Sequence, residues 1–108
     1  MILYEVEAVL GDTTTAAQWV RWMVTEHLAA VTSAGAASAR LVRLDGEGVR
    51  YRAQYTFASR AAFERYLAEE APRLRAEGLS RFPADAVRYL RTAGEIVTEL
   101  PVGSAPGC

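Results

Sequence analysis

Lysine is absent from this sequence: the twelve basic side chains in its 108 residues are all arginine. Histidine and cysteine occur once each, as His27 and as Cys108 at the last position. The first absence excludes Schiff-base catalysis and a P-loop lysine. A lone cysteine excludes a disulfide within the chain. One His and one Cys also fall short of the three or four ligands of an ordinary zinc site. Long apolar runs are missing too, and nothing nears the ~20 residues of a membrane span. The opening Met-Ile-Leu-Tyr-Glu lacks the basic start of a signal peptide and meets an acid at Glu5. Twelve arginines against thirteen acids, without an arginine cluster, leave no concentrated footprint for nucleic acid. The expectation is a single cytoplasmic domain with no metal, no cofactor, no nucleic-acid partner and no membrane contact.

What is present is a chain that is 51% apolar, enough for a core without cross-links. Residues 2–10 alternate as a strand, with Ile2, Tyr4, Val6, Ala8 and Leu10 on one face and Leu3, Glu5, Glu7 and Val9 on the other. Thr15 and Gln18 fit a capping box, so a helix is expected over 16–33, with Gly35 beyond its end. Strands follow over 37–44 and 49–57, joined by the polar turn Asp45-Gly46-Glu47-Gly48. Ser59 suits the N-cap of a second helix that reaches Glu77 and closes on Gly78, kinked or broken near Pro72. A last strand is expected over 86–100 with a bulge near Gly94. Residues 1–100 thus form the domain, and 101–108 read as a flexible tail.

This order is β-α-β-β-α-β, the ferredoxin-like α+β plan: a four-stranded antiparallel sheet of order 4-1-3-2 with two helices on one face. Tyr4, Val6, Tyr51, Tyr55 and Phe57 should meet the helices. The opposite face carries Glu5 and Glu7 beside Arg50, Arg52 and Gln54, with Leu3 and Val9 among them. Water or a second copy of the chain can cover such a face, and its mixed character suits a homodimer built sheet against sheet.

On the first helix the apolar stripe is Ala16, Trp19, Val20, Met23, His27, Ala30 and Val31. On the second it is Phe63, Tyr66, Leu67, Glu70 and Leu74. His27 and Glu70 are ionisable groups where the pattern asks for hydrophobes. A cleft between sheet and helices would be lined by Tyr4, Trp19, Met23, His27, Tyr55 and Tyr66, with Glu70 at its side. Such a lining suits an apolar or aromatic small molecule. His27 alone there has an ordinary pKa near neutrality and is the candidate acid or base. A hydrogen-bonded core histidine gives the same pattern, and aromatic strand positions fill any core of this kind. Trp22, three residues after Trp19, is expected at a helix edge or subunit contact. Arg73 and Arg75 are expected to face outward, and nothing near Cys108 would activate its thiol.

The segments Trp19-Val-Arg-Trp22-Met23 and Glu26-His27-Leu28 carry a resemblance, with Tyr66-Leu67, Ala71-Pro72-Arg73-Leu74-Arg75, Gly78-Leu79 and Arg81-Phe82. Together they resemble a family of small bacterial proteins classed only as a domain of unknown function, over about residues 1–100. The Trp-to-His helix is similar to that of EthD-like proteins of the dimeric α/β-barrel superfamily. That resemblance implies paired ferredoxin-like sheets and a pocket between sheet and helices. It implies cofactor-independent monooxygenase, isomerase or polyketide-cyclase activity, or haem chemistry. The family commonly has Pro two residues after the His, where Ala29 stands, and a second His where Glu70 stands. The expected function is a cofactor-independent enzyme acting on an aromatic or polyketide-like molecule, with His27 as base and Tyr4, Tyr55 and Tyr66 orienting the substrate. A non-catalytic ligand-binding module and a structural homodimer or accessory subunit remain the alternatives. Haem is disfavoured, because so small a chain has little room for a macrocycle.

Overall fold

The computed structural model describes residues 1–100; Cys108 and the expected tail lie outside the described residues. The element order is β1 (Ile2–Leu10), α1 (Thr13–Trp22), a π-helical turn (Met23–His27), α2 (Leu28–Ser33), β2 (Ser38–Arg43) and β3 (Val49–Phe57). Then come α3 (Arg60–Glu69), α4 (Ala71–Arg81) and β4 (Val87–Glu95). The sheet order is β2-β3-β1-β4, wholly antiparallel. This is the expected ferredoxin-like arrangement.

Alternation along β1 and β3 decides which side the helices take. Ile2, Tyr4, Ala8 and Leu10 from β1 are buried with Ala53, Tyr55 and Phe57 from β3. Against them lie Trp19, Met23 and Val31 from the first helical segment and Phe63, Tyr66 and Leu74 from the second. Tilted aromatic contacts knit the layers: Tyr4–Phe63 and Phe57–Phe63 at 5.2 Å, Phe57–Tyr66 at 5.0 Å and Trp19–Tyr51 at 5.7 Å between ring centroids.

Several local expectations are corrected. The first helix starts at Thr13, because Asp12 and not Thr15 caps it: the Asp12 carboxylate accepts from Thr15 N at 2.7 Å and from the Thr15 hydroxyl at 3.0 Å. Those bonds hold the Asp12 carboxyl below its usual range. The helical run is not uniform either, since residues 23–27 form a π turn. Ser59 caps α3 as expected, accepting from Ala62 N at 3.1 Å. The break falls at Glu70, after which Pro72 lies in the first turn of α4, where its missing N–H leaves no gap. Gly78 does not close that helix, which runs to Arg81. A Cβ at Gly78 would come within 3.3 Å of the Trp22 ring, so the missing side chain admits the indole. Strand β4 ends at Glu95 rather than 100. Its register with β1 is unbroken, with Gly94 opposite Leu3, so no bulge interrupts it.

The outer face of the sheet carries the charges in pairs. Arg52 Nη2 donates to Glu7 Oε1 at 2.8 Å, and Gln54 Nε2 to Glu5 Oε2 at 2.8 Å. The hydrogen bond from Arg52 is the main cause that holds the Glu7 carboxyl below its usual range.

Candidate functional site

Between the sheet and helices α1 and α4 lies a cavity of about 200 Å³. Its floor comes from the inward faces of three strands: Tyr4 and Val6, Ala53 and Tyr55, and Tyr89 and Arg91. One wall is Trp19, Trp22, Met23 and His27; the other is Leu74, Arg75, Gly78 and Leu79, with Tyr66 joining them. Tyr4, Trp19, Met23, His27, Tyr55 and Tyr66 therefore meet around one space, as the helical register predicts. Glu70 does not. The chain break places it at the junction of α3 and α4, where its carboxylate accepts from Arg73 Nη2 at 2.9 Å.

Four aromatic or charged lining residues, Trp22, Arg75, Tyr89 and Arg91, escape the sequence reading. An α-helix sets residues five apart about 140° from each other around its axis. The wider π turn brings such a pair to one side, and Trp22 stacks on His27 with centroids 4.6 Å apart and planes 27° from parallel. Trp22 is therefore buried rather than at an edge, and its Nε1–H has no hydrogen-bond partner among the described residues. Arg75 stays exposed, as expected, but the break at Glu70 re-phases the second helix so that Ala71, Leu74, Arg75 and Gly78 share a face and the Arg75 guanidinium reaches the cavity. Its Nη2 donates to the Tyr4 hydroxyl at 3.1 Å. Tyr89 and Arg91 come from alternate positions of β4, a signal present in the period of that strand. Tyr89 accepts from Trp19 Nε1 at 3.0 Å, and the Arg91 guanidinium lies 5.1 Å from the centre of the Tyr89 ring.

His27 is half-buried, and its ring makes no hydrogen bond to protein among the described residues. Burial pushes its pKa below the ordinary imidazole value; Glu77 opposes that shift and Arg91 adds to it. The ring is thus neutral near pH 7, the form that accepts a proton. Burial raises the pKa of the Tyr55 and Tyr89 phenols and pushes Tyr66 up to about 12, so all three remain protonated donors. The arrangement offers one neutral base, several phenolic donors and flat apolar walls.

A haem does not fit this site. An apolar cavity of roughly 150 Å³ holds one benzene ring, so one of about 200 Å³ is far too small for a tetrapyrrole. Among the described residues no group of three or more His, Cys, Asp or Glu side chains could hold a metal ion. No helix of the described residues is long and apolar enough to cross a membrane.

Solved structures share the fold at low sequence identity. A dimeric ferredoxin-like protein from an uncultured marine organism aligns with a TM-score of 0.69 and 16% identity, over 94% of this chain and 99% of that one. SnoaB, a cofactor-independent oxygenase from Streptomyces nogalater, aligns with a TM-score of 0.64 and 14% identity, over 93% and 96% of the two chains. An ethyl tert-butyl ether D (EthD) family protein from Bacillus halodurans gives 0.65 and 8%, over 89% and 99%. None of the curated proteins matches the sequence significantly. The inward aromatic strands, the Trp–His helix and the Ala-Pro break all fall within residues 1–95, and over that span the chain belongs to the DUF4286 family, a domain of unknown function.

Proposed function

We propose that the protein is a small cofactor-independent enzyme of the monooxygenase, isomerase or cyclase type, acting on an aromatic or polyketide-like molecule. The carrying observation is His27: its ring borders the cavity, stacks on Trp22 and has no protein hydrogen-bond partner among the described residues, and burial pushes its pKa below the ordinary imidazole value. In this reading His27 removes a proton from an acidic C–H or phenolic O–H of the bound molecule. The resulting anion is the common first species of the three reaction types. Tyr55 and Tyr66 donate hydrogen bonds to substrate oxygens, Tyr4 holds Arg75 beside them, and Trp19 and Met23 wall the ring. The fold shared with a cofactor-independent oxygenase is consistent with this chemistry, although one fold serves many reactions.

The same reading includes a homodimer that packs the outer sheet faces together, as the marine ferredoxin-like protein is dimeric. Leu90, 64% exposed, stands on that face opposite Glu7.

The test is a panel of phenols, naphthols and 1,3-dicarbonyl compounds, with products read by mass spectrometry. The wild type should transform at least one of them, and His27→Ala should slow it by roughly 10²–10⁴-fold. Full activity in His27→Ala contradicts the assignment. Quenching of tryptophan fluorescence without any product would make the protein a binding module instead.

A further inference from the structure

The cavity carries a charge that the apolar reading does not use. The whole chain has twelve basic and thirteen acidic side chains. The cavity lining nevertheless holds two guanidinium groups, Arg75 and Arg91, and no Asp or Glu. The ion pairs of the described residues lie elsewhere: Glu5 and Glu7 face Arg50 and Arg52 on the outer sheet face, Glu70 holds Arg73, and Glu26 holds Arg81. Neither cavity arginine has a carboxylate within 4.0 Å among the described residues. Each is steadied by a neutral aromatic group instead, Arg75 by the Tyr4 hydroxyl and Arg91 by the Tyr89 ring.

The two cations border the cavity from different elements, α4 and β4. Arg91 pairs with Val6 in the β1–β4 register, one inward-facing position along from Tyr4, whose hydroxyl meets Arg75. Arg91 is exposed overall, yet it lines the cavity and its charge is felt by His27, Tyr55, Tyr66 and Tyr89. A guanidinium presents donors in a planar fork that matches a carboxylate, and it retains most of those donors after one hydrogen bond to a hydroxyl.

We propose that the cavity selects an aromatic carboxylate, with the ring against Trp19 and Tyr55 and the carboxylate held by Arg75 and Arg91. This rests on the reading of the cavity as a substrate site and narrows its substrate class. It also gives a role to charge placement: an anion held there lies beside His27, where the same two cations stabilise the negative charge created by proton removal. With about 200 Å³ available, the fitting ring system is one or two fused rings.

The experiment uses 2-naphthoate and its neutral isostere 2-naphthamide, titrated calorimetrically against the full chain. The carboxylate should bind at least about tenfold tighter than the amide, as hydrogen bonds to charged groups require. Arg75→Met and Arg91→Met should each abolish most of that preference while leaving amide binding within a factor of about two to three. Arg73→Met, at the surface pair with Glu70, should leave both affinities unchanged. Equal affinity for acid and amide overturns the proposal, and so does a preference that survives both arginine variants or no binding of naphthoate at millimolar concentration. His27→Ala should still bind naphthoate, so failure of the anion preference is separable from failure of the catalytic reading, which turnover of the neutral panel compounds reports.

Discussion

At His27 the cost of leaving water and the absence of a protein partner act on one ring. Its conjugate acid is disfavoured in the folded chain, whereas the unfolded chain carries an imidazole near pKa 6.5. Between the lowered folded value and 6.5 the unfolded state binds more protons, so stability rises with pH across that window. It is lost as pH falls from about 6.5 toward the folded value. Glu77 softens the loss and Arg91 deepens it. Urea midpoints measured at about pH 5 and about pH 7.5 should differ in the wild type, lower at acid pH. The part of that difference that is due to His27 should vanish in His27→Gln. Because the chain has no second histidine, this comparison isolates one group.

At the scale of elements, two interruptions of helical geometry build the site. The π turn at 23–27 sets Trp22 over His27, and the break at Glu70 turns Arg75 toward Tyr4. Regular helices would leave Trp22 off the apolar stripe and the Arg75 guanidinium away from the Tyr4 hydroxyl. The start of α3 follows simpler rules: Ser59→Ala removes the acceptor for Ala62 N and should cost about 1 kcal/mol in a denaturant titration. The contrast explains what the sequence made legible. Strand alternation and helix periodicity suffice for β-α-β-β-α-β, for the inward tyrosines and for His27 on the apolar face. Trp22 and Arg75 were hidden because their placement depends on backbone departures that a 3.6-residue period does not contain. A continuous helix would carry Glu70 on the stripe, and the same break removes it. Tyr89 and Arg91 were readable in principle from alternation in β4 but fell outside a cleft drawn from the helices and central strands alone.

At the scale of the molecule, the two sheet faces divide the work. The inner face meets the helices and leaves an electropositive cavity, while the outer face neutralises its acids with Arg50 and Arg52. Leu90 and Val42 remain exposed on that outer face, in the row of Arg52 and Glu7. Burying them against a second copy joins apolar contact to charges that are already paired, which lowers the desolvation cost of association. Sedimentation should therefore give twice the chain mass for the wild type. Leu90→Arg, which adds an unpaired cation to the interface, should shift it to the monomer without unfolding it.

The claim on which the account depends is that the lone imidazole is held neutral at the edge of an open cavity. Proton NMR of its C2–H reads this directly, because no other histidine contributes to the spectrum. The titration should inflect below pH 6.5, the ordinary value for this side chain, and 2-naphthoate should shift the resonance. An inflection at or above 6.5, with a resonance that naphthoate leaves unmoved, would contradict it.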